Sequence, residues 1–535
     1  MSHLQRVARE DGIALIMALG ILMVLSLTLT SVIYYTSSSS RDASRNHAAQ
    51  KAYALAEAAL NNAAAQIAAN YYDSSGTATN TSTAGNQSWI SSSWTTTQQR
   101  QSATSTAVCT ASSSCVQWIA TWCPTPYTGS TCTSLPAASL TTRGTWVITG
   151  KGTIPNPTGP SASSLTRTVQ ATAEVSFDPR PGSIWQWLYS GNTTTISQKA
   201  TVKAPLWVRN TLSLQQSAAI EQPQTTPATT GNRLVVGFDR TGVATGGNLD
   251  LNSMNSQGHV GGNGSTNPAS TWLSEAHLGG SCLNVANCAS KVFVTGGLSS
   301  AAPTERFPAD TLSTADWQDR YLNAAPGPYH SCAGGPFFDK SGVADGLNND
   351  LGTFNLIGSS YSCTFDSNNY IAYDATTRVL TAKGTIYFDG DLLISGSASY
   401  VGLANIYASG NITFGTGTVF CAKLSGSTCD WNGWNPNYDA SSNPNPSMII
   451  LAAYGLTGGT SVSGTNVQFQ GGLYGQNSII VGGGSPTAGI QGPLVSPGTV
   501  TMGQGSGTSF PKAGLLAPGY PLSPYMLGAL QNRTG

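Results

Sequence analysis

The stretch that most constrains this chain runs from Ile13 to Tyr35, IALIMALGILMVLSLTLTSVIYY, with no charge and no proline. An α-helix rises about 1.5 Å per residue, and a bilayer core of about 30 Å takes roughly 20 apolar residues. The run is therefore long enough to span a membrane as one helix. A secretory signal has an apolar core of about 7–15 residues followed by small residues at a cut site. This run is longer, and no such site follows. It continues instead into a polar, alanine-rich segment from Arg41 to Ala69. The twelve residues before it, MSHLQRVAREDG, carry Arg6 and Arg9 and end in Glu10-Asp11-Gly12.

A short polar leader ending in Gly, an uninterrupted apolar helix and an amphipathic extension resemble a type IV prepilin. The nearer resemblance is to the PilX-type minor pilins and related pseudopilins. It rests on Gly12-Ile13-Ala14-Leu15-Ile16-Met17-Ala18-Leu19 and on Ala54-Leu55-Ala56-Glu57-Ala58-Ala59-Leu60, and covers about the first 70 residues. The resemblance implies that a prepilin peptidase cuts between Gly12 and Ile13 on the cytoplasmic side and methylates the new N-terminus. It also implies that other pilins or pseudopilins are partners. In the family, major pilins carry Glu at the fifth mature position; here that position is Met17, as in tip pseudopilins, which argues against a repeating shaft role. A plain single-pass signal anchor is the competing reading.

At 535 residues the chain has room for two or three domains. Only 9% of residues are charged, against a usual quarter, and 24 basic residues balance 24 acidic ones. A basic footprint for nucleic acid is missing. Disorder pairs low hydrophobicity with high net charge, and 40% of these residues are hydrophobic, so low charge here points to a β-rich exported protein. All ten cysteines lie beyond residue 100, in neighbouring pairs: Cys109 and Cys115, Cys123 and Cys132, Cys282 and Cys288, Cys332 and Cys363, Cys421 and Cys429. An even count on one side of the membrane run suggests an oxidising exterior, although spacing does not fix connectivity. The cysteines lack C-x-x-C spacing, and no metal site or cofactor is expected.

Taken in order, the expected fold class is α+β, mainly β. A leader over 1–12 precedes a transmembrane helix over 13–35 and its extension over 36–72. Ala48, Ala52, Leu55, Ala59 and Leu60 recur there at helical spacing, as a narrow stripe that can lie against a head. Glu57 beside it reads as a solvated carboxylate or an assembly contact. Residues 73–180 read as a small pilin-like head, Ser/Thr-rich and disulfide-bonded at first. It then has alternating β-branched runs over 144–150 and 165–175. Asp178-Pro179-Arg180-Pro181-Gly182 marks a boundary.

Beyond it, 181–384 reads as β-rich with irregular insertions, 385–510 as a β-helix or solenoid, and 511–535 as a strap over the solenoid end. The solenoid rests on repeats. Asp389–Gly396 matches Ser409–Gly415 at an offset of 20, and Leu473–Gly482 matches Leu494–Gly503 at 21. Short strands with Gly turns at a period near 20 are a solenoid signature, because single units cannot bury an apolar face alone. Alternation puts Leu392, Ile394, Ile412, Phe414, Ile479, Val481, Val500 and Met502 inward, and Ala204–Leu214 has the same device. A β-sandwich with chance similarity is the alternative. Phe238–Ala244 recurs as Phe338–Ala344, suggesting two similar turns; with Asp250 and Asp350 the copies do not fit a calcium loop.

Polysaccharide-cleaving β-helices need paired carboxylates or a metal-held carboxylate with a base. From residue 431 onward Asp439 is the only acid, and Lys512 and Arg533 the only strong bases. Asp389 and Asp391 flank a Gly, where Asp usually caps its own turn. The five histidines lack ligand spacing. The reading is a non-enzymatic, single-pass surface protein that assembles at a pilus tip or adheres. Exposed Tyr and Trp are its candidate contacts with glycans or a partner protein. A surface-anchored carbohydrate-active enzyme and a static envelope protein are the other two classes.

Overall fold

A computed structural model describes residues 2–69, 114–124, 144–158, 163–177, 183–221, 233–251 and 254–261. It further describes 275–285, 288–294, 297–307, 309–312, 317, 349, 351–364, 369–437, 443, 445–456, 460–483, 489–509, 516–523 and 525–534. The protein is mainly β, with one long N-terminal helix, an antiparallel sheet and large parallel sheets.

Helix α1, Ser2–Ala69, runs without a break through both the leader and the apolar run. Its upper part lies on a head built from three consecutive antiparallel strands: β1 (Cys115–Pro124), β2 (Gly144–Pro155) and β3 (Ser164–Phe177). Two further strands complete this five-stranded sheet, and both come from the end of the chain. They are β4 (Tyr525–Leu527) and β5 (Gln531–Thr534), each antiparallel to β3. The expected strap over 511–535 is therefore divided. Residues 525–534 belong to the head, and 516–523 lie on the body. Phe177 and Tyr525 are paired, so the body leaves and re-enters the head at one place.

The body, between these points, is three parallel ladders of short strands. The first and third are joined by the long strand Val379–Phe388 into a 20-stranded sheet; the second has ten strands. Successive passes of the chain visit the ladders in the same order, as in Leu188–Ser190, Thr194–Ile196 and Thr201–Lys203. The sequence offsets are the pairing registers. Leu392 lies beside Ile412 and Ile394 beside Phe414, while Ile479 lies beside Val500 and Val481 beside Met502. These eight side chains are all buried in one cluster shared by the three ladders. Thr413 between two of them is exposed. Parallel pairing also extends well before residue 385, through Leu206–Val208, Arg233–Val236 and Glu275–Leu278 to Leu298–Ser299. Of this early part, the sequence shows the device only at Ala204–Leu214.

The order along the ladders differs from the order along the chain. The first pass, at 188–203, pairs not with the chain's next-to-first material alone but also with its last pass, at 494–509. Tyr189 sits beside Val495, Thr195 beside Thr501 and Val202 beside Thr508. The chain thus enters mid-body and winds outward to residue 299. From 353 it stacks from the other end of the ladders back to the middle. The described residues within 307–317 cover the outer face of ladder one. Phe307 packs edge-on against Trp207, with ring centroids 4.7 Å apart, and against Tyr189 at 5.5 Å. The Tyr189 hydroxyl donates to Asp310 at 2.7 Å, and the Leu312 amide donates to the Tyr474 hydroxyl at 3.0 Å. Trp317 then meets Tyr407 and Tyr454 at 5.4 and 5.3 Å.

Glycines make some of the tight corners from ladder three to ladder one, whereas Ala204-Pro205 makes another. Gly471 and Gly492 adopt φ of 145° and 146°, a region closed to other residues without strain. A Cβ on Gly471 would also sit 2.5 Å from the Ile449 carbonyl oxygen on the adjacent pass. That close approach lets consecutive passes keep strand spacing around the corner.

Candidate functional site: the anchor helix and its seat on the head

Helix α1 carries two kinds of surface in succession. From Ile13 to Tyr35 the large apolar side chains are all exposed, Ile16 at 72% and Met17 at 65%. The most apolar window, within Ile13–Ala65, has a mean hydropathy of 2.5 and none of it is buried. Apolar surface of that extent is unfavourable in water and favourable in lipid. Thr28, Thr30 and Thr36 turn their hydroxyls onto helix carbonyls three or four residues back, which satisfies those polar groups within the helix. Gly12 and Ile13 lie inside the continuous helix, so the expected processing position is a point within α1 rather than a chain break in structure.

Above the apolar run the helix reverses its character. Ala48, Ala52, Ala56, Ala59, Leu60 and Ala63 are buried, while Leu55 is half-buried. Ala56, Ala59, Leu60 and Ala63 face Trp118, Trp146, Ile148, Val169, Ala171 and Ala173 on the inner face of the sheet, while Ala48 and Ala52 pack with Ile154. Gly150 and Gly152 of β2 complete the seat. A Cβ on Gly152 would overlap the Ala52 carbonyl and stand 2.6 Å from the Ala56 nitrogen; one on Gly150 would stand 3.0 Å from the Ala59 methyl. Small residues on both partners let backbone approach backbone. The stripe named from sequence was the right face but lacked Ala56 and Ala63. The glycine seat was missed altogether. Its signal was Gly150-Lys151-Gly152, two glycines on one side of a strand, where glycine marks close approach of another backbone.

Glu57 is neither purely solvated nor buried. Its carboxylate stands 3.8 Å from the Arg533 guanidinium on β5, both groups being well exposed. The same strand is held by Thr172, whose hydroxyl donates to the Gln531 carbonyl and accepts from Asn532 Nδ2. Beside the helix an open cleft of about 580 Å³ is lined by Ser40, Ser44, His47, Lys51, Ser114, Ile154 and Pro155.

The cysteines are oxidised wherever they are described. Cys282 pairs with Cys288 and Cys421 with Cys429, as adjacent spacing suggested. Cys115 and Cys363 are disulfide-bonded as well. Cys109, Cys132 and Cys332 lie outside the described residues; Cys123 is placed within β1 opposite Thr145.

The other sequence candidates resolve into structure. Asp391 accepts from the Asn411 amide at 2.6 Å and Asp389 from the Asn349 amide at 3.1 Å. Each caps the corner of a neighbouring pass rather than its own turn. Asp239 holds its own turn: burial pulls its carboxyl up, but the Thr241 hydroxyl and the Val243 and Thr241 amides outweigh that and keep it below the ordinary range. The second copy of that motif, 338–344, lies outside the described residues, as does Asp350. Among the described residues there is no group of three or more metal-binding side chains. The aromatics are corrected most. Trp185, Trp187, Trp207, Trp317, Trp434, Tyr189, Tyr387, Tyr407, Tyr474 and Tyr520 are buried under the straps on ladder one, not displayed. The well-exposed tyrosines among the described residues are Tyr34, Tyr35 and Tyr53, all on α1. The Tyr189 hydroxyl titrates far above its normal range, first because of burial and then because of Asp310.

No family model and no curated protein matches this chain. Among solved structures it is similar to the competence-associated pilin ComZ from Thermus thermophilus. The two are 11% identical over 91% of this chain and 97% of that one, with a TM-score of 0.36.

Proposed function

We propose that this chain is a non-enzymatic, pilin-like surface protein, held in a membrane by residues 13–35 and presenting a β-helical body outside. The observation that carries the reading is the division of α1. A wholly exposed apolar segment leads directly into an alanine stripe seated on an antiparallel sheet. The first part suits a bilayer or a bundle of like helices; the second fixes the helix rigidly to its head. The three ladders visited in turn, with one shared core, support a β-helix for the body. In this reading a prepilin peptidase cuts after Gly12, and Ile13 becomes the methylated N-terminus. Met17 makes the subunit a minor component at a fibre end, because an isolated charge there is costly in lipid and a neutral side chain avoids it. The body then serves tip assembly or adhesion. Contacts made by displayed aromatic rings are not part of this proposal, since those of ladder one are buried.

The test is mass spectrometry of the mature N-terminus from membranes of the native host. A chain beginning at methylated Ile13, and a longer precursor for Gly12→Leu, are expected. Retention of Met1–Gly12 in the wild type, or a cut beyond Tyr35, overturns the reading. Cleavage of a polysaccharide by the intact protein would favour the enzyme class instead.

A further inference from the structure

The head's sheet is completed by strands that are synthesised last. β1, β2 and β3 are contiguous, whereas β4 and β5 follow the whole body. These late strands do more than decorate an edge. The Gly528 amide donates to the Glu174 carbonyl at 2.7 Å, Leu530 packs against the head's apolar cluster, and β4 touches α1.

What aims them is residues 516–523, and that segment rests on a composite platform. Asn405 Nδ2 donates to the Ala517 and Pro518 carbonyls, and the Tyr407 hydroxyl donates to Gly519, all from the C-terminal half of the body. Trp185, at the entry to the N-terminal half, donates to the Pro521 carbonyl at 2.7 Å and meets the Tyr520 ring edge-on at 6.0 Å. The two halves are brought together by the pairing of the last pass, 494–509, with the first, 188–203. Until that pairing forms, the platform is in two pieces.

We propose that β4 and β5 are a clasp that closes the head only after the body's last pass has seated on its first. The clasp makes completion of the anchor's docking surface conditional on completion of a body more than three hundred residues long. A subunit whose body is unfinished or misfolded keeps an unclosed β3 edge beside its membrane helix, and so differs physically from a finished one before any assembly step.

The experiment is native-state hydrogen exchange on the full chain in detergent micelles, across a denaturant series. In the wild type the Gly528 amide should open with the same denaturant dependence as the Gly191 and Thr201 amides, which bridge the last and first passes through Ser496 and Ser506. Opening of Gly528 with a clearly smaller dependence, as a local fray, overturns the proposal. Val202→Asp, in the first pass at its seam with the last, should speed exchange at Gly191, Thr201 and Gly528 alike, by about tenfold or more. Leu249→Asp, in an outer pass, should speed exchange near 249–283 and leave Gly528 unchanged, because stacked passes open in nearest-neighbour fashion. A Val202→Asp protein with Gly191 and Thr201 unprotected but Gly528 still protected overturns it as well. Should Val202→Asp fail to fold, the wild-type series decides alone.

Discussion

The head and the body are held together by opposite kinds of contact. In the head, Ala52, Ala56 and Ala59 lie against Gly150 and Gly152, where helix backbone meets strand backbone, with Trp118, Trp146 and Ile148 filling the space beside that contact. In the body, Phe414, Phe420 and Phe469 fill the interior, Phe420 and Phe469 stacked at 5.8 Å and Phe414 tilted against Phe469 at 5.4 Å. The head depends on closeness and the body on volume. The head should therefore be intolerant of added atoms, and the body of removed atoms or added charge. The difference also suits the roles proposed for them: a rigid joint to a membrane helix on one side, a stack of interchangeable passes on the other.

The sharpest break of that comparison lies in the body. Ile394→Asp puts a carboxylate into the shared cluster, where the wild-type side chain is fully buried and an Asp has no partner among its apolar neighbours. The expected loss is several kcal/mol, on the order of the penalty for an unpaired buried charge. Thr413→Lys, one ladder position away and outward, should cost about 0.5 kcal/mol or less. Chemical denaturation of the full chain in detergent compares the two. Equal tolerance would mean that this face is not a core.

Next is truncation. Phe469→Ala removes a ring that touches both Phe414 and Phe420 and should cost about 3–5 kcal/mol. Its counterpart in the head is the addition Gly152→Val, whose branched side chain meets the Ala52 carbonyl and the Ala56 nitrogen. Overpacking of this kind costs about 1–3 kcal/mol. The loss should appear as faster amide exchange in residues 48–63 while the ladders stay protected. If Gly152→Val is silent and Ala56→Gly is severe, the head follows the same rule as the body and the comparison fails.

These positions also mark what the sequence could and could not disclose. Ile394, Phe414 and their partners were legible because alternation within a strand and a period of 20–21 between strands act together. Ala52 and Ala59 were legible from helical spacing. Apart from Ala204–Leu214, the first half of the body was hidden because its passes carry long, unequal insertions. Leu206 and Leu234 are neighbours in ladder one, as are Leu234 and Ala276, at very different offsets. The order of passes was hidden for a deeper reason. Local pattern reports that strands stack, but not which pass stacks on which, and here the last lies on the first. The burial of Trp207 and Tyr407 followed from the same gap, since the residues that cover them, Phe307 and Trp317, lie far away along the chain.

A smaller effect probes the charged part of the body. His259 is 4% exposed, its Nε2 stands 3.4 Å from Glu221, and Lys203 lies 3.6 Å from the same carboxylate. The Glu221 carboxylate raises the His259 pKa above the ordinary imidazole value of 6.5, against the opposing pull of burial. His259 in turn holds the Glu221 carboxyl below 4.5. A raised histidine stabilises the fold fully below its unfolded pKa and loses that contribution as pH rises through the folded one. A depressed carboxyl stabilises above its unfolded pKa and loses that contribution as pH falls through the folded one. The pair should therefore contribute most between about pH 4.5 and 6.5. His259→Gln should narrow its stability gap from the wild type as pH rises to 8. A gap that widens with pH would reverse the assignment.

The smallest expected effect lies at the joint itself. Glu57 and Arg533 form an ion pair between α1 and the late strands, but both are exposed. Exposed pairs contribute about 0.2–1 kcal/mol and are screened by salt, so the joint should owe little to this pair and most to its alanines and glycines. A double-mutant cycle with Glu57→Gln and Arg533→Gln measures the coupling from exchange at Gly528. The expected coupling is below about 1 kcal/mol at low salt and close to zero in about 1 M salt, where the Debye length is about 3 Å. A coupling that is large and indifferent to salt would show that charge, rather than close approach of small residues, fixes the head to its helix. The contrast between head and body would then need a third kind of contact.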